Sequence, residues 1–415
     1  MLERTITRVI EEFSETFRVL LLTGPRQVGK TTLLEKLAKD KRAYVTLDDS
    51  KFRALARSDP ELFLSEHPPP VIIDEIQYAP ELFPYIKIYV DTHKKHKGAF
   101  WLTGSQKFSL MKGIQESLAG RIVIVDLLGL SYREKIKAPF SEPFLPEFSS
   151  PQAAAASPQS KSASQNIKPL APKELYKHIW EGSLPELLTS KKLNREAFYS
   201  SYVQSYIERD VRDFHNVEKP ALFYNFLSAV AARTGSLVNY SNLARDIGID
   251  LKTAQTWMGV LERSGLVYLL QPYHPNITNR IIKTPKVYFL DTGLCAYLCR
   301  WETPETLYAG AMDGAILETW CFCEILKSYW HNGIDPLIYF YRDTDQKEID
   351  FVIEKNMTLY PIEVKKTAMP GEKDIKHFNA LEKLGKKIGT GAVLCLCQNR
   401  APINRGAAAI PAWEI

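Results

Sequence analysis

The sequence predicts an α/β chain of 415 residues: a P-loop doubly wound parallel sheet, then a helical and winged-helix region, then a second α/β domain. Three observations carry that expectation. A Gly-x4-Gly-Lys-Thr loop from Gly24 to Thr31 follows the apolar run Val19-Leu20-Leu21-Leu22 and opens a segment of good helix formers. Short apolar runs alternate with helical stretches as far as Leu127, which implies a mostly parallel sheet with its ligand at the carboxyl ends of the strands. Near the C-terminus, Asp350 and the triplet Glu363-Val364-Lys365 lie in a helix, strand, strand, strand, helix, strand order.

Taken in order, Leu2 to Phe13 has helical spacing with interspersed charge, not the unbroken apolar core of a signal peptide. After the Val19-to-Leu22 strand, the loop Gly24, Pro25, Arg26, Gln27, Val28, Gly29, Lys30, Thr31 reads as polyphosphate-binding. Its glycines let backbone N–H groups face the phosphates at a helix N-terminus, where the dipole favours negative charge. Lys30 can reach the β- and γ-phosphates, Thr31 offers its hydroxyl to Mg2+, and Thr32 follows into the helix. Ala43 to Leu47 is a short strand, Ser50 to Ser65 is helical, and Pro68-Pro69-Pro70 stops it. Val71-Ile72-Ile73-Asp74-Glu75 is a buried parallel strand ending in two carboxylates. A helix from Tyr85 to His93, a strand from Ala99 to Ser105 and a strand from Ile122 to Leu127 complete the sheet.

Behind such a loop, Asp74 would hold a water of the Mg2+ shell and Glu75 would polarise the attacking water as general base. Thr103 or Ser105, at the tip of the later strand, could sense the γ-phosphate. Charge on the departing phosphoryl group calls for an arginine, in cis or from a neighbouring subunit, and Arg121, Arg209 and Arg212 are the candidates. ATP and Mg2+ are the implied cofactors.

The loop Leu21 to Thr31, the Ile72-Ile73-Asp74-Glu75-Ile76-Gln77 strand, the Trp101-Leu102-Thr103-Gly104-Ser105 strand and the Ser117-Leu118-Ala119-Gly120-Arg121 turn resemble a large prokaryotic family of AAA-type ATPases. The resemblance implies an ATPase module coupled to a C-terminal domain of unknown function, over nearly the whole chain.

Charge is close to balanced, 53 Lys and Arg against 48 Asp and Glu, so the net +5 neither requires nor opposes a nucleic-acid partner. No apolar run approaches the roughly 20 residues of a membrane-spanning helix, and a cytoplasmic protein with no membrane partner is expected. Six cysteines in so long a chain do not make a disulfide framework; neutral, buried thiols are expected, with a metal or iron–sulfur site as the alternative. The expected division is 1–136 for the ATPase core, 137–174 for a Pro/Ser/Ala-rich linker or insertion, 175–235 for a helical region, 236–300 for a winged helix and 301–415 for the last domain.

Asn239 to Asp250 followed by Leu251 to Arg263 has the form of a helix-turn-helix, with Ser241 and Asp250 as caps and Gly248 closing the first helix. Leu243, Ile247, Ala254, Trp257 and Leu261 would form its core. Lys252, Thr253, Gln255 and Thr256 would face DNA, while the alternative is a packing module beside the ATPase. In the last domain, period-two alternation puts Glu363 and Lys365 on one face of a strand, and a hairpin can bring Asp350 alongside. Two carboxylates on a hard divalent ion with a lysine beside the attacking water are equipment for phosphodiester hydrolysis. This resembles the restriction-endonuclease-like Asp…Glu-x-Lys core, in which Glu318 matches the acidic residue of the first helix and Glu318, Asp350 and Glu363 hold the metal. The expected function is Mg2+-dependent ATP hydrolysis, as a switch or motor, coupled to a DNA-directed domain that either cuts or serves as an inactive binding module. A homo-oligomer or a partner protein is possible in either case.

Overall fold

Five short apolar runs build the first sheet of the computed structural model, which describes residues 2–105, 114, 117–140, 142–147, 167–190, 192–206, 220–276 and 284–415. They are β1 (Val19–Thr23), β2 (Ala43–Thr46), β3 (Val71–Asp74), β4 (Phe100–Gly104) and β5 (Ile122–Asp126), parallel throughout in the order β2-β3-β4-β1-β5. Alternation splits β1, β3 and β4 between two cores: Leu20, Leu22, Ile72 and Trp101 pack on one face, Val19, Leu21, Val71, Ile73, Phe100 and Leu102 on the other. Helices Ile6–Thr16, Lys30–Ala38 and Leu82–Thr92 accompany the sheet. The helical stretch expected from Ser50 divides into Ser50–Ser58 and Pro60–Glu66, because Pro60 lacks the amide that would continue the ladder and Asp59 caps the new start by accepting from the Leu62 amide at 3.0 Å.

The two ends of the Pro/Ser/Ala-rich stretch pack against the fold. Phe140, Phe144 and Ile167 are buried, and helix Pro172–Glu181 starts inside its expected range; residues 148–166 lie outside the described residues. Helices Pro185–Thr189, Arg195–Tyr206 and Pro220–Ala231 lead to β6 (Ser236–Leu237), helices Tyr240–Ile247 and Leu251–Arg263, then β7 (Val267–Leu270) and β8 (Lys286–Phe289). The three strands pair antiparallel in the order β6-β8-β7. Asn239, not Ser241, caps helix Tyr240–Ile247 by accepting from the Asn242 amide at 2.9 Å. Gly248 and Asp250 act as expected.

After helix Asp313–Trp330 comes a mixed sheet of β9 (Ile338–Arg342), β10 (Glu348–Lys355), β11 (Thr358–Lys365), β12 (Lys387–Ile388), β13 (Gly391–Cys395), β14 (Ala401–Pro402) and β15 (Ala407–Pro411), ordered β14-β15-β13-β11-β10-β9 with β12 on β11. The helix expected from Glu372 to Leu384 is instead two 3-10 segments, Glu372–Asp374 and Phe378–Leu384. Ile375, Phe378 and Leu381 bury at a spacing of three residues, which suits the three-residue turn of a 3-10 helix. One apolar core runs from Ile6 through the middle region to Ile415, so the expected segments share an interior. All six cysteines are free, and five of them are buried. Among the described residues, no helix is long and apolar enough to cross a membrane.

Candidate nucleotide site and acid cluster

β1 delivers the chain into the phosphate loop at Gly24, whose φ of +145° is open to glycine alone; a Cβ there would stand 2.0 Å from the Leu127 carbonyl oxygen. Gly29, at φ +90°, ends the loop and turns it into helix Lys30–Ala38. Lys30 is buried and folds back over the loop, donating to the carbonyls of Gly24 (2.9 Å) and Pro25 (2.8 Å). The Thr31 hydroxyl donates to Asp74 Oδ1 at 2.8 Å, so hydroxyl and carboxylate already face one point, as residues that share a Mg2+ shell must. Tyr44 donates to the other Asp74 oxygen at 3.1 Å. Burial, and then the Asp74 charge, raise the Tyr44 phenol far above its ordinary range, which keeps it a donor.

Glu75 follows β3 in the left-handed region at φ +55°, a turn that swings its side chain away from the strand. Its amide donates to Thr103 Oγ1 at 3.1 Å, Ser105 Oγ lies 3.4 Å from its carboxylate, and Gln77 Nε2 donates to the same oxygen. Thr103 is fully buried and committed to Asp74 and the Glu75 amide, whereas Ser105 also lines the open cavity beside Gly24; Ser105 is therefore the hydroxyl that can meet a phosphate. Two cavities flank the loop. One of about 520 Å3 adjoins Leu2, Arg4, Gln27, Gly29, Thr32 and Pro185. The other, about 360 Å3, lies between Gly24, Pro25, Ser105 and Asp126 on one side and Arg263, Gly265 and Leu290 on the other.

Arg121 is not at this site. It precedes β5 and so sits at the amino edge of the parallel sheet, about 17 Å from the carboxyl edge for five residues at about 3.3 Å each. There it forms a two-pronged pair with Asp91, at 2.7 and 2.9 Å. An intrachain contact between Arg121 and the phosphates is thereby corrected. Arg209 and Arg212 lie outside the described residues.

A buried network, unforeseen in the sequence, ties the loop to the last domain. Arg4 donates to the carbonyls of Val28 (3.0 Å) and Leu128 (2.7 Å) and pairs with Glu134 at 3.2 Å. Glu134 also accepts from the Thr5 and Ser131 amides and faces His331 Nδ1 at 3.3 Å. Burial opposes its charge, but Arg4 and His331 outweigh burial and hold the Glu134 carboxyl well below the usual carboxylate range. Burial lowers His331, and the Leu128 amide donates to its Nε2, which assigns the ring proton to Nδ1.

In the last domain the residues singled out by the Asp…Glu-x-Lys pattern do come together. Lys365 pairs with Glu363 at 2.5 Å and with Asp350 at 3.6 Å, and Asp350 accepts from the Val364 amide at 2.9 Å. Glu318 joins them from helix Asp313–Trp330. Three further residues complete the cluster: Lys286 on β8 reaches Glu348 at 2.7 Å, Glu318 at 3.3 Å and Asp350 at 3.9 Å, and Tyr288 donates to Glu318 at 2.5 Å. Burial, and then the Asp350 charge, raise both Glu318 and Glu363, while Lys286 stays charged because Glu318, Asp350 and Glu348 overcome its burial. Among the described residues, no group of three or more His, Cys, Asp and Glu side chains is arranged to hold a metal ion. The expected ligand set Glu318, Asp350 and Glu363 is therefore corrected: ammonium groups stand between these acids, and the residues do not fit a divalent ion as arranged.

Comparison with known proteins agrees with the first half of this geometry. Residues 16–136 match the family model described as an AAA domain; residues 172–305 and 313–415 match the models described as domains of unknown function DUF8612 and DUF4143. An uncharacterized protein of Mycobacterium tuberculosis is 27% identical over 399 residues, covering 96% of this chain and 80% of that protein. An uncharacterized protein of Methanocaldococcus jannaschii is 21% identical over 370 residues, 84% of this chain and 75% of its own. Among solved structures, the Walker-type ATPase PABY2304 of Pyrococcus abyssi matches with a TM-score of 0.41 at 13% identity, over 71% of this chain and 94% of that one. The chain thus carries an AAA-type ATPase domain, built around the Gly24-to-Thr31 loop, ahead of a C-terminal DUF4143 region.

Proposed function

We propose that the chain hydrolyses ATP with Mg2+ and that hydrolysis acts as a switch on a DNA-directed C-terminal half. The observation that carries the ATPase reading is the contact of Thr31 with Asp74 directly behind a glycine-shaped loop, with Glu75 held beside Ser105 one turn further on. Loop amides bind the phosphates, Lys30 leaves the Gly24 and Pro25 carbonyls for the β- and γ-phosphates, and Thr31 and Asp74 would hold Mg2+, which supplies charge neutralisation at the phosphoryl oxygens. Glu75 takes the proton of the attacking water. The 520 Å3 cavity beside Gln27 and Thr32 has the room and position for the nucleoside.

The DNA reading is supported by element order. A helix, β6, two helices, β7 and β8 succeed one another as in a winged helix, and Lys252, Gln255 and Thr256 are exposed on its second helix of the pair. The order of helix Asp313–Trp330 and β9 to β11 likewise suits a restriction-endonuclease-like core. A second reading, an ATPase-governed binding module with an inactive nuclease-like fold, is favoured by the additional lysine, Lys286, inside the acid cluster. Steady-state ATPase assays test the first half: Lys30→Ala should lose nucleotide binding, and Glu75→Gln should keep it while turnover falls about 10²–10⁴-fold. Wild-type turnover by Glu75→Gln would remove Glu75 as base. Fluorescence anisotropy with duplex DNA at low salt tests the second half, and no affinity there would remove every DNA reading. Plasmid cleavage with Mg2+ separates the cutting and binding versions, the latter giving DNA-stimulated ATP turnover without cutting.

A further inference from the structure

The acid cluster of the last domain has a cation at its centre, and that cation is a side chain from another part of the fold. Lys286 is the first residue of β8, in the sheet of the middle region, yet its ammonium lies 2.7 Å from Glu348, 3.3 Å from Glu318 and 3.9 Å from Asp350. It is 3% exposed, so this is no surface lysine that swings freely; its ammonium lies 5.6 Å from the centre of the Phe340 ring. Other groups crowd the same acids: Tyr288 donates to the Glu318 oxygen that Lys286 pairs with, the Val364 amide and Lys365 hold the second Asp350 oxygen, and Arg342 lies 3.5 Å from the second Glu348 oxygen. A hard divalent ion needs several of these oxygens stripped and turned inward at about 2.0–2.1 Å, with its own charge unopposed by a neighbouring cation.

We propose that Lys286 is the resident cation of this cluster, holding the place a divalent ion would take, so that the site accepts metal only when β8 withdraws the ammonium. The inference rests on reading the domain as nuclease-like, but it concerns metal entry rather than cleavage. β8 is paired on both edges, with Lys286 opposite Leu237 and Leu270, so the backbone that carries the ammonium is held by its sheet. Just past the far end of that strand, the Leu290 amide donates to the Leu266 carbonyl at 3.0 Å, and Leu290 lines the 360 Å3 cavity next to Gly24 and Pro25. Leu290 and Leu266 thus join the cavity beside the nucleotide loop to the strand that carries Lys286.

Mn2+ binding to the full-length protein tests this, by calorimetry and by thermal melting in Mn2+ against EDTA, with no nucleotide present. Wild type should show no Mn2+ site that depends on Asp350. Lys286→Met, which keeps the stem and removes the charge, should gain one: its melting temperature should rise with Mn2+, and the gain should vanish on adding Asp350→Asn. Lys286→Arg, which restores a cation, should again ignore Mn2+. If Lys286→Met folds only when Mn2+ is supplied, that rescue is itself the expected result. Wild-type binding of Mn2+ that Asp350→Asn abolishes would overturn the proposal, as would a folded Lys286→Met that binds no more metal than wild type. Lys286→Met that binds Mn2+ without cutting DNA leaves the proposal standing and removes the cutting version of the proposed function.

Discussion

Arg4 is the test of whether the network under the phosphate loop stabilises the molecule. Its side chain is 6% exposed and that of Glu134 0%, with 3.2 Å between Nε and Oε2. At that distance the gross attraction is about 5 kcal/mol for an effective dielectric of about 20. Arg4→Met keeps the volume and removes the charge together with the bonds to Val28, Leu128 and Gly129. Removing one partner of a buried pair costs about 3–5 kcal/mol because the other is left charged in the interior. Here His331 at 3.3 Å and the Thr5 and Ser131 amides still serve Glu134, which argues for the lower end, about 3 kcal/mol. The measurement is a double-mutant cycle on thermal unfolding of wild type, Arg4→Met, Glu134→Gln and both together. Each single variant should be clearly destabilised, and the double should fall short of their sum by about 1–3 kcal/mol. ATP affinity of Arg4→Met should fall too, since Arg4 fixes the Val28 carbonyl inside the loop. Additive effects, or Arg4→Met melting with wild type, would refute the reasoning.

Gly24→Ala should abolish nucleotide binding and lower expression, because its Cβ meets the Leu127 carbonyl at 2.0 Å and backbone must move; an alanine variant that binds ATP normally would show that the loop is not held there. Arg121→Ala should leave the ATPase rate within about twofold in a monomeric preparation, as general expectation for a surface pair; a loss of a hundredfold would point to a phosphate contact supplied to a neighbouring subunit. Acid titration should reveal Glu134: its folded carboxyl lies below the ordinary value of 4.5, so the unfolded chain binds the proton first. Stability from this group is present above about pH 4.5 and is lost as pH falls below it, and Glu134→Gln should flatten that part of the profile.

What the sequence discloses depends on how local the cause is. The phosphate loop is legible because its geometry follows from glycines within eight residues and from the strand that feeds them. Asp74 and Glu75 are legible for the same reason. The position of Arg121 was readable as well: it precedes Ile122, and ligands of a parallel sheet gather at the other end of the strands. The Ser131-to-Glu134 capping box also stood in plain view, but nothing local says that the same Glu134 receives Arg4. Lys286 is the opposite case. It is 32 residues from Glu318 and 64 from Asp350, and only the packing of two sheets brings it between them. β15 went unseen because Ala407-Ala408-Ala409 has no alternating pattern; it is a strand because β13 and β14 supply its partners.

The same non-local packing makes the last domain part of the ATPase's interior. Three bonds tie the segment after β5 to helix Asp313–Trp330 and its cap: Tyr132 amide to Glu324 at 2.8 Å, Lys327 to the Leu130 carbonyl at 3.1 Å, and Leu128 amide to His331 at 3.2 Å. Trp320 lies against Tyr132, Phe322 against Tyr268 and Tyr288, and Trp330 against Tyr268. Losing three such aromatic anchors costs roughly 5–9 kcal/mol at roughly 1.5–3 kcal/mol each, a large part of the 5–15 kcal/mol that typically holds a domain together. It also leaves the Arg4–Glu134 pair without His331 above it. A fragment of residues 1–311 should therefore aggregate or melt without cooperativity, although it contains the entire phosphate site, and limited proteolysis should digest it well before the full chain. A soluble 1–311 fragment with the full chain's melting temperature and ATPase rate would mean that the shared core is a contact between independent units. The shared core instead puts the network under the phosphate loop and the acid cluster on one helix and its cap, with Glu318 and His331 thirteen residues, about 20 Å, apart.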